Sequence, residues 1–143
     1  MTELNGRVAQ ERMLKDAKRF ILASGEFRTV LDLAQLLQVD SHKLAQQLTA
    51  WKGSGEIFSI PGENGGELFP LFALDPRSGP RVFAAIPKVL QIFGDKLSEW
   101  AIAGWFIGAC GYLDDQTPKD LLEEDPDWVV AAARDELDEI SRG

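Results

Sequence analysis

Apolar residues recur at helical spacing along most of the chain and give way to β-forming runs in one region, so the pattern predicts a mainly helical protein with one small hairpin. Near the start, Val8, Met13, Ala17, Phe20 and Ile21 recur at helical spacing, with Arg7, Arg12, Lys15, Lys18 and Arg19 elsewhere on the surface. That is one amphipathic helix ending before Gly25, whose basic face reads first as a solvated one. A second helix is expected from Thr29, with Leu31, Leu33, Ala34, Leu36 and Leu37 inside; Thr29 followed three residues later by Asp32 is close to a capping box. Val39, Asp40 and Ser41 turn the chain into a third helix, Ser41 to Lys52, with Leu44, Ala45, Leu48 and Trp51 inward. Gly53, Ser54 and Gly55 stop it. Two runs rich in β-formers, Ile57 to Ile60 and Leu68 to Phe72, then flank the turn-rich connector Pro61 to Gly66.

Asp75 to Pro80, with two prolines and a glycine in six residues, marks an internal boundary. Beyond it a helix is expected from near Arg81, interrupted at Pro87, with Val89, Leu90, Ile92 and Phe93 as an apolar patch that Gly94 ends. The stretch around which the rest is organised follows. Trp100 to Leu113 carries no charge, and at about 1.5 Å per residue it is too short to cross a bilayer, so it is expected to be a buried helix stopped at Gly111. Thr117 and Pro118 read as an N-cap and first helical position, opening a short helix over Lys119 to Glu124. A last helix, Asp127 to Ile140, should turn Trp128, Val129, Ala132 and Leu137 inward. The expected architecture is therefore mainly α: residues 1–75 as a helix-turn-helix or winged-helix lobe with a small β-hairpin, and residues 76–143 as a helical bundle.

In a helix-turn-helix the later helix meets base edges, and the outward Ser41, His42, Lys43, Gln46 and Gln47 are the candidate DNA-binding set; Gln suits adenine, and Lys suits guanine or phosphate. The charge at the hairpin tip opposes this. Glu63 and Glu67 stand there with no Lys or Arg, the wrong sign for a phosphate backbone.

The chain of 143 residues has a net charge of −8, and residues 111–143 alone hold 11 acidic and 3 basic side chains. Such a tail disfavours nucleic acid and suits a basic partner. One cysteine, Cys110, excludes an intramolecular disulfide and a thiolate metal cage and fits a reducing cytoplasm; no secretion signal or membrane span is visible. Gly104 and Gly108 allow a helix of the same chain or of a second copy to approach closely, which leaves a homodimer open.

Catalysis has little to stand on. His42 is the only histidine and sits among polar residues of the third helix; Cys110 reads as an inert buried thiol. Asp114, Asp115, Glu123, Glu124, Asp125 and Asp127 lack the alternating spacing of a calcium loop, and Gly53-Ser54-Gly55 lies between a helix and a strand, the reverse of a phosphate loop. No enzyme, metal or cofactor is expected. Trp100, Trp105 and Phe106 read one by one as core, although tryptophan is also enriched at binding hot spots.

At Trp105, Phe106, Leu113, Thr117, Pro118, Asp120, Leu121 and Leu122 the chain resembles the toxin-binding domain of the MbcA, ParS and Xre antitoxins, over about residues 81 to 142. In that domain a helix ending in tryptophan and an apolar residue leads through a loop and a leucine to a Thr-Pro pair and an acidic-Leu-Leu helix. Val129, Val130, Ala131 and Ala132 look like its closing helix, and where the family usually has glycine this chain has Asp115. The resemblance implies a protein that binds and blocks a toxin enzyme, in some systems a RES-type enzyme that consumes NAD, and that represses its own operon through operator DNA. It also implies that Trp105, Phe106, Leu113, Thr117, Pro118 and Leu121 contact the toxin. The rival expectation is an acidic winged-helix regulator or protein-interaction adaptor with no toxin partner.

Overall fold

Among the residues described by the computed structural model, 2–77 and 79–142 with the backbone alone for 2–5 and 7, six α-helices are joined by short antiparallel strand pairs. The chain is mainly helical with a small antiparallel sheet. Helix α1 (Thr2–Ala23) ends where the Ser24 hydroxyl donates to the Ile21 carbonyl at 2.6 Å. Strand β1 (Phe27–Arg28) follows, then α2 (Val30–Leu37), begun by the Thr29 hydroxyl accepting from the Asp32 N–H at 3.1 Å, as the near-capping box implied. Gln38 closes α2 in the left-handed region, φ 57°, and two residues later Asp40 caps α3 (Ser41–Gly53) by accepting from the Lys43 N–H at 2.9 Å. Strands β2 (Ile60–Pro61) and β3 (Glu67–Pro70) make the hairpin, and β3 also pairs with β1. The sheet order is β1-β3-β2.

After β3 come a 3-10 turn, Leu71–Ala73, and a small hairpin of β4 (Leu74–Asp75) and β5 (Arg81–Val82). The proline-rich segment is thus the connection within a strand pair, and Arg81 starts a strand where a helix was expected. Helix α4 (Ala85–Phe93) begins later, and Pro87 does not interrupt it because it lies in the first turn, where an N–H has no intrahelical acceptor. Helix α5 (Glu99–Ile107) is capped by the Ser98 hydroxyl, which accepts from the Ala101 N–H at 3.1 Å. It stops at Gly108, not Gly111. From there Cys110 leaves the helix, donating its N–H to the Gln116 carbonyl at 3.0 Å and closing a loop in which Asp114 and Asp115 have φ of 55° and 65°. Pro118–Leu121 is a 3-10 turn, and α6 (Pro126–Arg142) ends the fold.

Packing separates the helices that the periodicity made look alike. Helix α4 lies against α6, and α1 touches α5 near its own C-terminal end. Ile21 is buried there, and a Cβ on Gly104 would sit 3.8 Å from its Cδ1; the close approach at this glycine is made by α1 of the same chain. The Lys18 ammonium stands over the Trp100 ring, 5.2 Å from its centre, at the same junction. Beyond it α1 runs free: Val8, Met13, Ala17 and Phe20, expected inside, are exposed, because no other described element packs on that part of the helix. In α2 only Leu33 and Ala34 are buried, and Leu31 and Leu36 face out. In α6 the inward set is Val129, Val130, Ala132 and Ala133, with Trp128 and Leu137 half-buried.

The buried side chains form one cluster reaching from Ile21 to Ala133 across the Asp75–Pro80 segment. Phe106 sits at its centre. Its ring stacks on Phe58 at 5.9 Å, tilts against Phe72 at 5.2 Å and meets Trp105 edge-on at 5.0 Å, while Phe93 packs on the far side of Trp105 at 5.2 Å. The interior is apolar; Ser59 is its one strongly buried polar residue among those described.

Candidate macromolecular interface

Two surfaces carry the residues singled out from the sequence. The first is the outer face of α3. Leu44 and Leu48 are buried at 1% and 0% exposure, which turns His42, Lys43, Gln46, Gln47 and Thr49 to solvent; Ser41 is half-buried at the start. Asp40 spends a carboxylate oxygen on the cap and Thr49 its hydroxyl proton on the Ala45 carbonyl at 2.9 Å, so His42, Lys43 and the two glutamines are the exposed side chains left to hydrogen-bond a partner. His42, Ala45, Gln46, Thr49 and Ala50 line a shallow groove of about 390 Å³ along this face, mostly apolar in its walls. A peptide side chain fits such a trough better than a phosphate does, since its lining is mostly apolar.

The β2–β3 turn stands beside α3 and is tied to it by an ion pair between Lys52 and Glu67. The turn is held by the Gly62 N–H donating to the Gly66 carbonyl at 2.7 Å, with Gly65 at φ +83°. Its exposed side chains are Glu63, Asn64 and Glu67. With Lys52 engaged by Glu67, Lys43 is the cation that α3 offers freely, and the combined face is not electropositive.

The second surface was expected around Trp105 to Leu121. Here burial decides. Phe106 and Leu113 are 0% exposed, Pro118 is fully enclosed and Leu121 is 5% exposed, so these four are core and reach no partner in the folded chain. Trp105 and Thr117 are half-buried. The Trp105 indole N–H is shielded from solvent and meets no acceptor, a group that costs about 1–3 kcal/mol if left so. Thr117 precedes Pro118 in extended conformation, as an N-cap does, but its hydroxyl donates to the Asp120 carboxylate at 2.7 Å and accepts no backbone N–H of the turn. Lys119 bonds the same carboxylate at 2.9 Å and lies 3.5 Å from Glu26, joining the loop to the segment before β1. The hydrogen bonds from Lys119 and Thr117 hold the Asp120 carboxyl below its ordinary value, and the bond to Asp120 raises Lys119.

A larger cleft of about 470 Å³ opens between Ser54, Gly55 and the α4 residues Pro87, Leu90 and Gln91, with no ionisable side chain in its wall. Among the described residues no three His, Cys, Asp or Glu side chains are placed to hold a metal ion, and no helix is long and apolar enough to cross a membrane. Cys110 is half-buried in the loop after α5, and His42 is exposed on α3, so the two share no site. The sequence pattern missed the β1 pairing and the groove, neither of which leaves a period in so few residues.

No family model matches the chain. No curated protein matches it. No solved structure matches it either.

Proposed function

We propose that residues 1–75 form a winged-helix module that docks a protein through the outer face of α3, making the chain an adaptor or regulator and not an enzyme. The order α1-β1-α2-α3-β2-β3 with strands arranged β1-β3-β2 supports the winged-helix reading. One observation carries the choice of partner: the exposed face of α3 offers two glutamines and a single free lysine over an apolar groove, beside a turn bearing only acidic charge. DNA binding draws its affinity from neutralising several phosphates with Lys and Arg, and these groups are missing here. A protein surface with a small apolar anchor and neutral or basic rim matches both the groove and the net charge of −8.

Retention of duplex DNA at about 50 mM salt tests this, because electrostatic binding is strongest there. The wild-type chain should leave the duplex free. Retention that disappears when Lys43 and Gln47 are both changed to Ala would instead assign α3 to operator DNA and remove the proposal.

A second reading, an antitoxin that occludes a toxin enzyme, draws on one specific feature. Asp115 has φ +65°, the left-handed conformation that glycine adopts without strain, and this is the loop position where the resembled family usually has glycine. Its contact surface would be limited to Trp105, Thr117 and the exposed Tyr112 and Asp120, given the burial of Phe106, Leu113, Pro118 and Leu121. Failure of the chain to co-purify with, or protect cells from, the product of a neighbouring small basic enzyme gene would end that reading.

A further inference from the structure

Helix α1 has a face that its own chain does not cover. Residues 8–17 are exposed without a break, and Met13 and Phe20 are 71% and 63% exposed. At 3.6 residues per turn, Gly6, Ala9, Gln10, Met13, Leu14, Ala17 and Phe20 fall within about 140° of the circumference, and no Lys, Arg or Asp from residue 6 onward interrupts them. Arg12, Lys15 and Arg19 lie exposed on the opposite side. Within the neutral arc, Gly6, Gln10, Met13, Ala17 and Phe20 follow one another at intervals of four and three, the spacing of a seam between two helices. A helix this exposed gains little from its own chain, since helices in proteins are stabilised mainly by packing one face.

We propose that this seam is covered by α1 of a second copy of the chain, running antiparallel, so that the protein self-associates as a two-fold symmetric dimer. Size complementarity favours that direction. With the two helices crossing near residue 15, Met13 lies opposite Ala17 of the other helix and Gln10 opposite Phe20, each occurring twice, so large side chains meet smaller ones. A parallel pair would set Phe20 on Phe20 and leave a gap at Ala17. Charge favours it too. Residues 1–24 hold five basic and three acidic side chains, a net of +2, which leaves −10 on the rest of each chain. A parallel pair would bring the two acidic bodies side by side; an antiparallel pair puts them at opposite ends of the rod and lays the net-positive helix of each chain toward the acidic body of the other. The contact is small, of the transient class.

Sedimentation of the full chain from about 10 µM to about 500 µM tests the proposal, a range that covers weak association. The mass should rise with concentration from 15.8 kDa toward twice that value. Changing Met13 and Phe20 together to Glu should weaken the dimer by at least about a hundredfold, since it places charge in an apolar seam. Tryptophan fluorescence of that variant should be unchanged, because both sites lie off the core. Arg12→Ala should keep the dimer. To read the direction, Gln10→Cys and Phe20→Cys chains, each also carrying Cys110→Ser, are mixed and oxidised. They should form a disulfide between the two kinds of chain, with little product joining two Gln10→Cys chains. A monomer throughout the range, a dimer untouched by the double substitution, a preferred bond between two Gln10→Cys chains, or a monomer that binds phosphatidylserine vesicles through Met13 and Phe20 would each overturn the proposal.

Discussion

Replacing Phe106 with alanine asks whether the tryptophan-bearing helix is core or contact surface. Phe106 is 0% exposed and its ring touches Phe58, Phe72 and Trp105, so it joins side chains from both sides of the Asp75–Pro80 segment. Truncating a buried phenylalanine costs about 3–5 kcal/mol through lost transfer energy and the cavity left behind. That cost already includes the ring's aromatic contacts, so the middle of the range, about 4 kcal/mol, is the expected loss. A domain of this size has roughly 5–15 kcal/mol to lose, so the variant should fold marginally and melt about 13 °C lower. Urea unfolding followed by tryptophan fluorescence and by far-ultraviolet dichroism gives the number. The two signals should move together, since one continuous cluster spans both parts. A loss under about 1.5 kcal/mol would show that the ring is not part of the core, because a side chain so enclosed cannot be removed cheaply.

Three further outcomes follow from the same geometry. Leu33→Ala should cost about 2–4 kcal/mol of unfolding free energy, whereas Leu31→Gln and Leu36→Gln should each change it by less than about 0.5 kcal/mol, since Leu33 is 0% exposed and the other two face solvent. Asp115→Ala should destabilise by about 1 kcal/mol while Asp115→Gly does not, because alanine at φ +65° meets the left-handed penalty that glycine escapes; thermal melts of the pair decide. The Asp120 carboxyl is held below its ordinary 3.8 by Lys119 and Thr117, so its contribution is full above about pH 4 and fades as pH falls through the lower folded value. Asp120 is largely exposed, so the contribution should be under about 1 kcal/mol, and acid titration of Asp120→Asn against wild type should show that difference vanish at low pH.

Much of the fold was legible because several helices carry both a period and a cap. Thr29 and Asp32 marked the start of α2, Asp40 the turn into α3, and Leu44 and Leu48 its inward side. The end of α5 was not legible: every residue from Trp100 to Leu113 is apolar or small, so neither amphipathicity nor a breaking side chain distinguished Gly108 from Gly111. Strands β1, β4 and β5 are two residues each, too short for any alternation, and exist through partners distant in the chain or across a turn. Periodicity also reports which residues share a side without reporting what lies against it. Met13 and Phe20 share a side as expected, yet nothing in the same chain covers them, and Leu31 and Leu36 are exposed for the same reason. The outward face of α3 was readable because its inward leucines were; the enclosure of Leu113, Pro118 and Leu121 was not, because a short motif carries no information on what packs over it.

The most direct test of the proposed docking face is site-specific photo-crosslinking in the native host. A photoreactive side chain at position 46 lies on the exposed face of α3, and one at position 112 lies beside the Trp105 to Leu121 block. Position 46 should give a discrete protein adduct that is lost when Lys43 and Gln47 are changed to Ala, and position 112 should give none. An adduct with DNA at position 46, or a protein adduct at position 112 alone, would contradict it.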